Sequence, residues 1–167
     1  MARAFTLVEM LVVLAILAAS ATLALPSARA FVAQAELRSA SVDLLAAVRA
    51  TRSLAVAHNR VVYLLPAGAD LSAGWLLATD PGGAGVLARH GPLPAGVTVA
   101  SRMSNGAGGV YIAYNGAGRP CSMASPLAAR WGTLSLHHNG HERRIIINML
   151  GRPRLCDPGR ADSHCGS

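Results

Sequence analysis

The sequence predicts an α+β chain, one long N-terminal α-helix followed by a globular region of antiparallel strands. Three observations carry that prediction. An apolar run from Phe5 to Leu25 passes into a helical stripe that lasts to about His58. After Arg60 the texture changes to short apolar runs cut by Gly, Pro and Asn, the pattern of antiparallel strands. Near the C-terminus, Asn139-Gly140 separates two alternating runs and marks a two-residue hairpin.

The first segment, 5–25, is apolar apart from Thr6, Glu9, Ser20 and Thr22, with no basic residue inside it. At about 1.5 Å per residue a helix of that length spans roughly 30 Å, the thickness of a bilayer core. It is therefore read as a single membrane span. Arg3 before it fits the positive-inside rule and places the rest of the chain on the far side of the membrane from the cytoplasm. Ala28-Arg29-Ala30 has the small-x-small form of a signal-peptidase site. The preceding apolar run is too long for a signal peptide's core of about 7–15 residues, so the segment is expected to be retained. Glu9 is the anomaly. An unpaired carboxylate at the centre of a membrane helix costs about 3 kcal/mol, which makes its default reading functional. The plainer alternative is a side chain close enough to the interface to stay wet.

The second segment, 26–59, continues the helix. Leu37, Leu44, Val48 and Ala55 recur on one stripe, with Arg38, Arg49 and Arg52 on an adjoining flank. That flank is read as a solvated face, or as a contact between subunits. Pro26 is expected to bend or loosen the join, because proline removes a helical donor. The third segment, 60–167, is β-rich. Candidate strands are 61–65, 75–79, 86–89, 97–103, 110–114, 133–138 and 142–149. The hairpin register pairs His138 with His141, Leu136 with Arg143 and Leu134 with Ile145. It assigns Leu134, Leu136, Ile145, Ile147 and Met149 to a core face and Thr133, Ser135, His137, Glu142, Arg144 and Asn148 to the other.

Composition narrows the chemistry. Fifteen basic residues, all arginine, against eight acidic ones give a net charge of +7, which suits an acidic surface or a polyanion. Aromatic residues make up only 4%, too few for an extended base-stacking platform. The sequence gives no reason to expect an enzyme. Neither Gly-rich loop ends in the Gly-Lys-Ser/Thr of a phosphate loop, the helical HExxH pattern is missing, and no nucleophile elbow occurs. His137, His138 and His141 cluster at the hairpin and are read as exposed turn histidines, without the further ligand a metal site needs. No catalytic residue, metal or cofactor is expected.

Cys121, Cys156 and Cys165 would lie in an oxidising compartment, so one bridge is expected. Cys156–Cys165 is favoured, with Cys121 as the alternative partner. Arg143, Arg144, Arg152, Arg154 and Arg160 crowd the C-terminal region. Gly151 allows a sharp turn and Pro153 pushes Arg152 towards an extended conformation. Arg152 and Arg154 then point one way, about 6.6 Å apart, as a candidate phosphate clamp. The alternative is a solvated edge that resists aggregation.

Two stretches carry a resemblance. Arg3 to Met10 followed by Leu11 to Leu17 resembles the N-terminal signature of type IV prepilins and type II secretion pseudopilins. Counting from Phe5, Glu9 is fifth and Pro26 twenty-second, the positions at which that signature carries Glu and often Pro. Tyr114-Asn115-Gly116-Ala117-Gly118-Arg119-Pro120, the strand after Trp131, Arg143 to Ile147 and Gly151 to Cys156 are similar to the GspH/FimT family of minor pilins and pseudopilins. The resemblance implies a type IV pilin-like fold, with the long helix packed on an antiparallel β-sandwich-like globular domain, a leader at 1–4 removed by prepilin peptidase between Ala4 and Phe5, and methylation of the new amine. Ala4 departs from the usual Gly, which implies slower processing. Glu9 would then pair with the terminal amine of a neighbouring subunit in the filament. Gly151-Arg152-Pro153-Arg154 matches the Gly-Arg-x-Arg motif of members that bind DNA in natural transformation. The implied partners are DNA, other pilin subunits, the peptidase and, before assembly into a surface pilus, the inner membrane. Four arginines (Arg143, Arg144, Arg152 and Arg154), each on one phosphate, would give a log–log salt slope of about −3.6 on duplex DNA. The other implied role is priming of pilus or pseudopilus assembly, without DNA.

Overall fold

The computed structural model describes residues 7–104, 109–160 and 165, with the side chains of 19 and 21–27 excepted. Ala4 and Phe5 lie outside the described residues, as do the side chain of Pro26 and residues 105–108 of the second Gly-rich loop.

Helix α1 (Leu7–Ala57) is a single element that runs through position 26. Among the described residues, no helix is long and apolar enough to cross a membrane. In the first part of α1, Leu7, Val8, Leu11, Leu14 and Leu17 stand exposed. In the second part the expected stripe is the buried face: Leu37, Leu44, Val48 and Ala55 are all inaccessible or nearly so. Full burial of a leucine or valine side chain contributes about 1.5–3 kcal/mol, so this face is what fixes the helix to the domain. Two hydroxyls on that face are satisfied within the helix, Ser41 Oγ donating to the Arg38 carbonyl at 2.8 Å and Thr51 Oγ1 to that of Ala47 at 2.7 Å. Asn59 ends the helix in a left-handed conformation (φ 47°). The Arg60 amide then reaches back to the Ala55 carbonyl and the Asn59 amide to that of Val56, a Schellman cap that satisfies terminal carbonyls.

Among the described residues eight strands follow: β1 (Val62–Pro66), β2 (Trp75–Ala78), β3 (Val86–His90), β4 (Thr98–Met103), β5 (Ile112–Tyr114), β6 (Gly132–His138), β7 (His141–Ile147) and β8 (Pro153–Cys156). They form two four-stranded sheets, ordered β3-β2-β1-β5 and β4-β6-β7-β8. Every paired strand is antiparallel. Helix α1 meets β1 and β5 of the first sheet and β6, β7 and β8 of the second. One core joins Leu37, Leu44 and Val48 to Leu64, Trp75, Ile112 and Tyr114 on one side and to Leu134, Leu136, Ile145 and Ile147 on the other. A smaller cluster of Tyr63, Leu65, Ala78, Tyr111, Ala113 and Cys121 covers the far face of the first sheet. Arg130 closes it, lying 3.7 Å over the Tyr111 ring and donating to the Tyr111 and Gly109 carbonyls.

The hairpin has the expected register, His138 opposite His141, Leu136 opposite Arg143 and Leu134 opposite Ile145. Asn139 and Gly140 both have positive φ, as a type I′ turn requires. Two expectations are corrected. Met149 is 60% exposed, because β7 stops at Ile147 and the chain turns before Met149 can reach the core. His138 is not an exposed turn residue: it is buried, and its Nε2 lies 3.1 Å from Glu36 Oε2, tying the hairpin to α1. Strand β8 is absent from the sequence reading, since four residues containing Pro and Arg show no alternation of their own. Proline is tolerated there because it opens an edge strand. A disulfide joins Cys156 to Cys165, with Cα atoms 5.7 Å apart, and Cys121 is free and buried. Burial pushes the Cys121 thiol up to about 11, which keeps it protonated and unreactive at neutral pH.

Candidate nucleic-acid interface

The basic C-terminal region is built on a turn organised by Asn148. Its Oδ1 accepts from the amides of Leu150 and Arg152 at 3.1 and 2.9 Å, and its own amide donates to the Arg152 carbonyl. Gly151 takes the left-handed conformation that the turn needs, φ +76°. A Cβ there would come within 2.8 Å of the Tyr114 ring, 2.9 Å of the Gly118 carbonyl oxygen and 3.0 Å of the Pro120 ring. The two stretches 114–120 and 151–156 thus meet in space at one glycine. The Gly151 carbonyl accepts from Tyr114 Oη at 3.1 Å and from Arg52 Nη1 at 3.4 Å. Burial holds the Tyr114 hydroxyl well above its ordinary pKa, so it remains a donor. Asn115 supports the other stretch, accepting from the Ala117 and Arg119 amides and donating to the Pro126 carbonyl.

From this anchor the chain enters β8 with Arg152 and Arg154 both exposed and Pro153 between them. Arg154 is the register partner of Ile146; cross-strand partners share a face, so its stem lies beside that buried isoleucine. Arg152 lies beside the helix. Together with Arg49, Arg52, Ser53, Val56, Ala57 and Pro153 it lines an open groove of about 710 Å³.

Arg143 and Arg144 are placed differently. As consecutive strand residues they point to opposite faces, so the expected four arginines do not make one surface. Arg143 pairs with Asp157 at 3.4 Å. Arg144 holds Glu142 with two hydrogen bonds of 2.6 and 3.0 Å, which keep the Glu142 carboxyl below its ordinary pKa and raise that of Arg144. Arg160 is exposed on the turn begun by Asp157, whose carbonyl accepts its amide at 3.1 Å. Cys165 sits near Arg144 on the outer face of the second sheet, in a cleft with Arg102, Trp131 and Thr133. The arginines missed as part of a site are Arg49 and Arg52. Their three-residue spacing on α1 was visible, but not the arrival of Gly151 beside them.

A long helix with an exposed apolar first part, capped by a domain of two antiparallel sheets and a disulfide-bonded tail, defines a pilin-like subunit. The family profile of the type II transport protein GspH matches residues 40–151, and that of the prokaryotic N-terminal methylation motif matches residues 1–25. The chain belongs to the GspH family of minor type IV pilins and pseudopilins, a family of structural subunits. Its fold is similar to that of the type IV minor pilin FimU of Pseudomonas aeruginosa. One crystal form aligns at 23% identity and a TM-score of 0.58, covering 75% of this chain and 91% of that one. A second form aligns at 21% identity and 0.54, covering 71% and 90%. No curated protein sequence matches this chain. The family and the methylation motif imply other pilin subunits and a prepilin peptidase as partners.

Proposed function

We propose that this chain is a minor type IV pilin that binds DNA without sequence preference and serves its uptake in natural transformation. The observation that supports it is the Gly151 anchor, which presents Arg152 and Arg154 outward from a braced turn. Guanidinium forks suit phosphate oxygens, and contacts to phosphate carry no sequence information. In this reading prepilin peptidase cuts between Ala4 and Phe5 and the new amine is methylated. The 5–25 segment holds the precursor in the inner membrane as a single span with the β domain in the periplasm, and Pro26 marks the join to the rest of the helix. On assembly into the surface pilus, Glu9 neutralises the terminal amine of a neighbouring subunit. A slip in register would leave a charge unpaired in an apolar bundle. Arg152 and Arg154 are the principal contacts. Arg143 and Arg144 are already matched by carboxylates, and Arg160 extends the basic surface.

The test is DNA binding by the full-length chain in detergent, using a short labelled duplex. Affinity is expected in the nonspecific range of about 10⁻⁴–10⁻⁶ M at physiological salt. Arg152→Gln/Arg154→Gln is expected to weaken it and reduce the magnitude of the salt slope by about 1.8. Unchanged binding in that variant removes the clamp. The second reading, a subunit that primes pilus or pseudopilus assembly without touching DNA, is favoured by the neutralisation of Arg143 and Arg144. Deleting the gene separates the two: loss of transformation with normal piliation supports DNA uptake, and loss of pili or of secretion supports assembly.

A further inference from the structure

The groove beside Arg152 brings together arginines from two distant parts of the chain. Arg49 and Arg52 are three residues apart on α1, which places their Cβ atoms about 5–6 Å from each other on one helix face. Arg152 completes the basic lining, and the remaining walls are Ser53, Val56, Ala57 and Pro153. Among the described residues, no acidic side chain lines the groove. Among the described residues, neither Arg49 nor Arg152 takes part in an ion pair, in contrast to Arg143 and Arg144. Arg52 is held in position as well as charged. Besides its bond to the Gly151 carbonyl, it occupies space that Gly118 leaves open, where a Cβ would stand 3.2 Å from Arg52 Nε. Three guanidinium groups without a counter-charge repel one another, and a groove of one sign concentrates anions from solution. Among the described residues no aromatic ring lines the groove, so bases find no stacking partner among them and the sugar-phosphate backbone is the part of a strand it fits.

We propose that Arg49, Arg52 and Arg152 form one phosphate-binding groove, in which the helix as well as the C-terminal strand grips the backbone of a DNA strand. This rests on the DNA-binding reading above and adds two helical residues to it. DNA then crosses the boundary between α1 and β8, with Arg154 continuing the contact along the strand edge. Contacts from two elements held by the same carbonyl give a fixed spacing that a flexible tail would lack.

The experiment measures binding of a short labelled duplex to the full-length chain in detergent at about 50 and 200 mM salt, the range over which counterion release is read. Arg49→Gln is the primary variant, because Arg49 makes no hydrogen bond to the Gly151 turn and its removal leaves that anchor in place. It is expected to weaken binding and to lower the magnitude of the slope by about 0.9; Arg49→Gln/Arg52→Gln is expected to lower it by about 1.8. Melting temperatures measured in parallel show that each variant is folded. If Arg49→Gln and the double variant bind as the parent does while Arg152→Gln/Arg154→Gln is weakened, the groove is overturned and the tail reading stands. If the parent chain has no affinity for DNA, both are overturned. If Arg49→Gln leaves DNA binding unchanged but lowers incorporation into filaments, the groove is a contact for a neighbouring subunit and the proposal is overturned.

Discussion

At the scale of single residues, the site depends on Gly151 more than on any arginine. The position needs a left-handed backbone and has no room for a methyl group against Tyr114, Gly118 and Pro120. The left-handed conformation alone costs an L-residue about 1–2 kcal/mol, and the crowding adds to it. Gly151→Ala is therefore expected to destabilise the domain by about 2 kcal/mol or more, measured by denaturant unfolding, and to weaken DNA binding as Arg152 is displaced. Glu142 is a second informative residue. Its hydrogen bonds with Arg144 hold its carboxyl below the ordinary carboxylate range. A depressed folded-state pKa means that this pair's contribution to stability is present above the unfolded value and is lost as pH falls through the folded one. Glu142→Gln is expected to flatten the pH dependence of stability in that acidic window, read from melting temperatures. The pair is only partly buried and stays in reach of solvent, so the change is small. The same substitution leaves Arg144 without its counter-charge at neutral pH.

At the scale of elements, β8 and its tail are the part of the second sheet that needs outside support. The strand has four residues on a sheet edge, and its first is a proline that cannot donate to the ladder. The Cys156–Cys165 bridge ties the tail back to the end of this strand across a sequence separation of nine. In the chain-entropy account, closing a loop of that size contributes about 2–3 kcal/mol. Cys165→Ser is expected to lower the melting temperature to the value of the reduced parent, with no further effect of reductant on the variant. Because Gly151 is also bonded from Tyr114 and Arg52, the anchor is expected to survive this change better than the tail. Helix α1 and the hairpin are joined by similarly sparse polar contacts. His138 reaches Glu36 across the interface, while the apolar stripe supplies most of the packing.

At the scale of the whole molecule, the charge distribution is uneven in a way the net value of +7 conceals. Arginines near the hairpin are matched: Arg143 by Asp157 and Arg144 by Glu142. Among the described residues, the positive charge at the α1–β8 boundary has no acid lining it. Nonspecific DNA binding is governed by how many phosphates are neutralised, so the salt slope of the intact chain counts which arginines reach DNA. The slope of about −3.6 expected from Arg143, Arg144, Arg152 and Arg154 counts one phosphate for each guanidinium group. Arg49, Arg52, Arg152 and Arg154 give the same number from a different set. The single-residue variants therefore discriminate where the parent's slope alone does not.

Much of this protein was determined locally and was legible in its sequence. Periodicity placed the buried stripe of Leu37, Leu44, Val48 and Ala55, because a helix face is set by spacing alone. Asn139-Gly140 set the hairpin register, because only a few turns accept two left-handed residues. Tertiary structure decided what lies between distant segments: the burial of His138 against Glu36, the pairing of β8 with β7, and the meeting of residues 114–120 with Gly151. It also decided which arginines are neutralised and which line the groove. Spacing fixes the direction of a side chain from its own element, whereas its counter-charge comes from whichever element packs against it, and that depends on how the helix seats across two sheets.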